Sequence, residues 1–232
     1  MNRKPERKTK VFSCSLSKKD LSKFITHQVD SLFNDGVSIR PKLDLYISSS
    51  LERMEYCMFR ASLKGFYSDD GPCYNHLHTD QHAIFLYYLS NSVFQMGGPK
   101  VLCDKLYALN KALHGVDIFY EVKMPDIFAL VHPVGTVLGR ASYGDYFCAY
   151  QNVSVGSDLD GNNPKIGRGV VMYGGSRIIG RSQIGDNCLI SIGTTILDRH
   201  IGSDCVAFGT YPNIEAKKTH HNVISEIFNP IK

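Results

Sequence analysis

Six aliphatic residues, Ile166, Met172, Ile178, Ile184, Ile190 and Ile196, follow one another at intervals of six. Four positions after the beat a small or β-branched residue recurs, at Val170, Ser176, Ser182, Cys188 and Thr194. Glycine follows directly at Gly167 and Gly185, and at Gly202 after Ile201. A helix repeats its apolar face about every 3.6 residues and a strand about every two, so neither produces this beat. A fixed repeat of this kind is the mark of a solenoid, in which each unit stacks on the one before. The pattern predicts a triangular parallel β-helix. Each hexapeptide makes one flat side, the aliphatic residue fills the axis, and the small residue fits near a corner.

The beat traces backwards through Val131, Val137, Tyr143, Ala149 and Val155, with Gly135, Ala141, Phe147 and Val153 at the accompanying position. Between the two blocks the polar stretch from Gly156 to Lys165 breaks the register, which predicts a loop over 157–165 that leaves the solenoid. Insertions on a regular repeat tend to carry function, because flat sides offer no concavity. After Ile201 and Ala207 the pattern ends at Tyr211-Pro212, leaving 212–232 as a C-terminal tail.

Upstream the period changes. Ser17 with Asp20 three residues on resembles a capping box, and Leu21, Phe24, Ile25, Val29, Leu32 and Phe33 share one helical face. A second helix is predicted over 42–64, a polar loop over 67–79, and two more helices over 80–96 and 99–114. The whole is an α+β chain: a basic flexible tail over 1–16, an α-helical domain over 17–115 and a β-helix over 116–211. The helical domain has two open roles, capping the β-helix or pairing subunits.

The net charge of +4 is modest, and five of its basic residues (Arg3, Lys4, Arg7, Lys8, Lys10) crowd the first ten positions. A solvated tail explains that run better than a nucleic-acid or membrane contact. No apolar stretch is long enough to span a bilayer, and the N-terminus lacks a signal-peptide core. The seven cysteines form no C-x-x-C pair, and Cys148, Cys188 and Cys205 fall where the repeat wants a small inward residue. They read as reduced packing residues of a cytoplasmic protein.

Two motifs carry a family resemblance: Val131-His132-Pro133-Val134-Gly135, and after the loop Asn163-Pro164-Lys165-Ile166-Gly167. Asp117 stands fifteen residues before His132. Over about Ile84 to Gly209 the chain resembles the serine O-acetyltransferases, hexapeptide-repeat acyltransferases with an α-helical domain before a left-handed parallel β-helix. It is most like the members found among polysaccharide-assembly genes. The resemblance implies acetyl-CoA as donor, no metal, and a homotrimer, perhaps doubled through the helical domain. It assigns His132 as general base and Asp117 as the carboxylate on its other ring nitrogen. Neutral imidazole suits that task, since an alcohol attacks a thioester only as a base takes its proton. Without the resemblance, His132 reads more readily as a surface histidine at a turn, with Asp117 as an ordinary helix or loop end.

The resemblance also implies that coenzyme A lies along a groove between neighbouring β-helices. Gly174, Gly175, Ser191, Gly193, Gly209 and Thr210 are the small residues that would line it, with Lys165, Lys217 and Lys218 as candidates for the CoA end. Lys217 and Lys218 read equally well as a solvated basic tail. Val131, Gln151, Asn162 and Asn163 are the acceptor candidates. Here the chain departs from the family, whose Asp before the catalytic His is Val131 and whose serine-holding Arg-His pair is Asn162-Asn163. Amides hydrogen-bond a hydroxyl but do not pair with a carboxylate as Arg does. The expected acceptor is therefore a sugar hydroxyl of a surface-polysaccharide precursor, with L-serine, as in cysteine biosynthesis, as the alternative. A metal hydratase on the same scaffold is excluded, because no histidine lies between His132 and His200. A non-catalytic scaffold remains a competing reading. His76, His78 and His82 are spaced like metal ligands but show no fourth partner, and His200 reads as structural.

Overall fold

A computed structural model describes residues 10–228 apart from 39, 62, 64 and 69. The basic residues Arg3, Lys4, Arg7 and Lys8 lie outside the described residues. Residues 13–16, expected as tail, are ordered: strand β1 (Ser13–Cys14) pairs with a strand of the next segment. Helix α1 (Lys18–Leu32) begins as its sequence predicts, with Asp20 N–H donating to Ser17 Oγ at 3.2 Å. It buries Leu21, Ile25 and Val29, while Leu32 is exposed. Helix α2 (Arg40–Met58) stops six residues short of the expected end.

The segment 67–79 is not simply a loop. It contains β2 (Tyr67–Ser68) and β3 (Gly71–Tyr74), and β3 pairs with both β1 and β2. Gly71, with φ +139, opens β3 close against the Val11 backbone, where a Cβ would clash. Helices α3 (Thr79–Gln95) and α4 (Lys100–His114) follow, and α4 ends on left-handed Gly115. Helix α3 is the axis of the domain, buried on nearly every side, and it docks on the first strand of the β-helix. There Tyr87 and Tyr88 both meet Phe128 edge to face, and Tyr87 O–H donates to Val122 O at 2.7 Å. Of the two roles open to the helices, the chain itself builds the cap.

The β-helix has four coils. The first is β4 (Phe128–Leu130), β5 (Val137–Leu138) and β6 (Ser142–Tyr143). The second is β7 (Phe147–Ala149), β8 (Ser154–Gly156) and β9 (Lys165–Ile166). The third is β10 (Val170–Met172), β11 (Arg177–Ile179) and β12 (Gln183–Ile184). The fourth is β13 (Cys188–Ile190), β14 (Thr195–Leu197) and β15 (His200–Ile201), and β16 (Cys205–Thr210) starts a fifth. Equivalent strands stack in parallel: Met172 pairs with Ala149 and Ile190, Ile178 with Val155 and Ile196, and Ile184 with Ile166 and Ile201. Every one of these beat residues is buried, as are Ser176, Ser182 and Thr194 near the corners.

The backward trace fails in the first coil. The residues in register there are Leu130, which pairs with Ala149, and Leu138, which pairs with Val155, not Val131 and Val137. Leu130 and Leu138 are buried, whereas Val137 is exposed. The later corners take six residues from axis residue to axis residue, but this one runs from 130 to 138 and so holds two more. Cys148 also departs from expectation. It pairs with Ala129 and Val171, one place out of the inward register, and is nevertheless buried.

The C-terminal stretch is ordered too. Strand β17 (Asn213–Lys218) turns back antiparallel along β16, and Val223 and Phe228 are buried, with Phe228 edge-on to Tyr146. Among the described residues no helix is long and apolar enough to cross a membrane.

Truncating an axis residue removes buried methylenes and leaves a cavity that the stacked backbone cannot close. Ile190→Ala is expected to cost about 2–5 kcal/mol, read as a lowered midpoint in urea unfolding. The same change at exposed Ile192, two residues on, is expected to shift it by less than about 0.5 kcal/mol.

Candidate active site

The corner between the first and second strand of each coil is built from a column of left-handed residues: Gly115, Gly135, Asn152, Gly175 and Gly193. Backbone N–H groups run up this column, from Gly135 to Gly115 O, Asn152 to Val134 O, Gly175 to Gln151 O and Gly193 to Gly174 O. The two extra residues of the first coil swell this corner, and His132 sits in the swelling. It is itself left-handed (φ +50), outside the repeating column. A non-glycine residue held there costs on the order of 1–2 kcal/mol, so the surroundings must hold it.

His132 lines a cavity of about 310 Å³ with Thr79, Asp80, Leu113, His114, Gly115, Pro133 and Val134. Its wall therefore comes from the start of α3, the end of α4 and the swollen corner. The Asp80 carboxylate is buried, and its Oδ2 accepts the His132 backbone N–H at 3.2 Å. Thr79 Oγ1 donates to Asp80 Oδ1 at 3.4 Å. The His114 ring meets His82 edge to face at 5.4 Å, and neither of its nitrogens has a hydrogen-bond partner among the described residues. Burial drives the His114 pKa down to about 4, against the pull of the Asp80 charge. Burial drives His82 down to about 3, helped by His114 and His76. Both imidazoles are neutral at ordinary pH.

The expected Asp117–His132 hydrogen bond is not formed. Asp117 stacks beside Val137, one coil earlier, and its carboxylate is taken by Tyr107 O–H and Lys111 Nζ, each at 2.6 Å. Fifteen residues is not one turn here: Asp117 stacks on Val137, twenty residues on, and α4 supplies its partners. Gln151, Gly174, Gly175, Ser191, Gly193, Gly209 and Thr210 all lie along or beside the corner that carries His132. Gly174 has a specific reason to be glycine, since a Cβ there would come within 2.8 Å of Gln151 Nε2.

The remaining candidates lie elsewhere. Val131 is half-buried against the core. Asn162 gives its N–H and Nδ2 to Asp158, at 2.9 and 2.8 Å, while Asn163 bonds Ser157 and Gly161, so the loop folds on itself. Lys165 opens the third face. Lys217 and Lys218 lie beside Val206 and Cys205, with Lys217 over Phe208 and Lys218 bonded to Ser203 O. Among the histidines spaced like ligands, His76 bonds Ser15 and His82 bonds Tyr74. Asp80, His114, Tyr107 and Lys111 escaped the sequence reading, because nothing in their local pattern marks a cavity wall.

No family model matches the chain. Over 131 residues it is 30% identical to a serine acetyltransferase of Synechococcus elongatus, covering 55% of this chain and 53% of that protein. It is 25% identical over 133 residues to a putative serine acetyltransferase of Schizosaccharomyces pombe, covering 56% and 48%. The chain spans about half the length of the curated relatives it matches. The serine acetyltransferase of Vibrio cholerae superposes with a TM-score of 0.69 at 17% identity, covering 90% of this chain and 82% of that one. The fold is that of the serine acetyltransferases. The Neisseria gonorrhoeae serine acetyltransferase in complex with serine (TM-score 0.65, 19% identity, 85% and 83% covered) is similar in the same way. So is the Brucella abortus serine acetyltransferase in complex with coenzyme A (0.65, 17%, 87% and 84%).

The two buried imidazoles set the pH response. Their folded pKa values lie below the unfolded value of about 6.5, so the unfolded chain binds more protons as pH falls below that value. Stability present above about pH 6.5 is lost towards pH 4 for His114 and pH 3 for His82, each at up to about 1.4 kcal/mol per pH unit. Urea unfolding at pH 7 and pH 5 is expected to differ by on the order of 2–4 kcal/mol. His114→Phe is expected to flatten that slope by about half.

Proposed function

We propose that the chain is an acetyl-CoA-dependent O-acetyltransferase with His132 as general base and serine as acceptor. The observation that carries the reading is the swollen corner. The solenoid spends two extra residues and a strained backbone to put one imidazole in the wall of a cavity. Similarity in sequence and fold to serine acetyltransferases supports serine over a sugar. A sugar acceptor would call on Asn162 and Asn163 as amide ligands, but Asn162 Nδ2 is held by Asp158 and the Asn163 amide by Ser157 and Gly161 within their own loop. That loop is tied at Asp158, whose carboxyl Asn162 holds below its usual range.

In the proposed reaction neutral His132 takes the acceptor's hydroxyl proton as the oxygen attacks the thioester carbonyl. The tetrahedral intermediate collapses, the carbon–sulfur bond breaks, and the imidazolium returns its proton to the CoA thiolate. The products are the O-acetyl ester and free CoA. The pantetheine arm runs up the same corner past Gln151, Gly174, Gly175, Ser191 and Gly193, where small residues let an extended chain lie close. The donor's phosphates are met by groups other than Lys217 and Lys218, whose strand starts at that corner but carries them away from it. His132 and Ile192 are exposed on this edge of the single chain, and a second copy packed along it, as in a trimer, would close the groove. Asp117 takes no step in this reaction, its charge being shared with Lys111 and its second oxygen held by Tyr107.

Free-thiol release from acetyl-CoA, followed with serine and with a panel of sugars, tests the reading. Serine is expected to drive release, and His132→Ala is expected to lower kcat by about 10²–10⁴ with the fold intact. Undiminished turnover by His132→Ala would remove the assigned base; release with sugars alone would restore the polysaccharide acceptor.

A further inference from the structure

We infer that Asp80 is a positioning residue for His132: it holds the swollen corner in its left-handed conformation and so ties the catalytic coil to helix α3. The inference rests on His132 as the base proposed above. The corner ladder ends one residue short of it, with Val131 N–H bonded to Ala149 O at 3.0 Å. The His132 N–H lies past that last rung and is taken by Asp80 Oδ2, fifty-two residues away in sequence. On the other side, Val134 N–H closes a tight turn onto His132 O at 2.8 Å, so His132 is bonded through both its N–H and its carbonyl. Without the first bond, the turn onto Val134 is the one backbone hydrogen bond of His132 left, among the described residues, to oppose relaxation of φ +50 to the ordinary side of the map.

The environment of Asp80 fits an anchor. The residue is only 7% exposed and sits in the first turn of α3, where helix N–H groups favour a negative charge. Thr79 Oγ1 orients its second oxygen. No cationic side chain lies within ion-pairing distance among the described residues, so a backbone N–H of the catalytic residue is its main partner. An acidic residue paired to a backbone amide rather than to the imidazole fixes where the ring starts from without fixing its protonation. The helical cap thereby gains a direct hold on the chemistry. Any shift of α3 along the first coil would be felt at His132 before it was felt at the axis.

The test separates geometry from charge. Asp80→Asn keeps an oxygen that accepts the His132 N–H, whereas Asp80→Ala does not. With melting curves as the check on folding, Asp80→Ala is expected to lower kcat at least tenfold while leaving the KM for acetyl-CoA within about twofold. Asp80→Asn is expected to recover most of that loss, with an unchanged pH profile. Amide hydrogen exchange provides a readout independent of turnover. The His132 amide is expected to exchange at least tenfold faster in Asp80→Ala, to return towards wild type in Asp80→Asn, and to do so without change at Gly193. Wild-type exchange at His132 in Asp80→Ala, or a loss in Asp80→Asn as deep as in Asp80→Ala, would overturn the inference. If His132→Ala stays active the assignment of the base fails by itself, and the exchange measurement still decides whether Asp80 anchors the corner. Should Asp80→Ala fold poorly, Asp80→Ser, whose hydroxyl is too short to reach, replaces it in both measurements.

Discussion

The parallel ladder between coils is the constraint on which the rest depends. Because Met172, Ala149 and Ile190 are locked in register, every side chain at one level stands directly over its counterpart in the coil before. Axis residues then have no freedom to slide, and a residue gained or lost in a coil must be expelled at a corner or in a loop. The structure does both. Residues 157–164 leave as a self-bonded loop between β8 and β9, and two extra residues swell the first coil at His132. The second expulsion is the one that makes a cavity.

Much of the architecture was legible because it is periodic. The beat from Ile166 to Ile196 named the axis, and the capping pattern at Ser17 named the start of α1. The swollen corner was not legible, for a physical reason. Leu130 and Val131, like Val137 and Leu138, are adjacent apolar residues, and a strict six-residue trace back from Tyr143 picks Val137 and Val131. Only pairing with Ala149 and Val155 chooses between them. The β3 and β17 strands were hidden for a different reason. The first is short and bounded by Gly71-Pro72, and the second, Asn213–Lys218, is polar and exposed on most of its length, so neither alternates.

The site divides in the same way. Residues that the repeat itself places, such as Gly174, Gly175, Ser191 and Gly193, lie at the corner that carries His132. Residues placed by a partner distant in sequence were not. Asp117 looked one turn from His132, but the swollen corner puts Val137 over it instead, and spacing carries no information about Tyr107 and Lys111 descending from α4. Asp80 lies in a stretch that looks like an ordinary helix start, and its bond to His132 exists only because α3 docks on β4.

The hairpin formed by β16 and β17 bears on how such a rod ends. A parallel β-helix exposes unpaired backbone at its last coil, an invitation to join end to end with another copy. Here β17 runs the opposite way along the free edge of β16 and so cannot be continued by another parallel rung. It presents Glu215, Lys217 and Lys218 where a new coil would need apolar contacts, and α3 occupies the other end. The β-helix is thus bounded at one end by a helix and at the other by a reversed, charged strand.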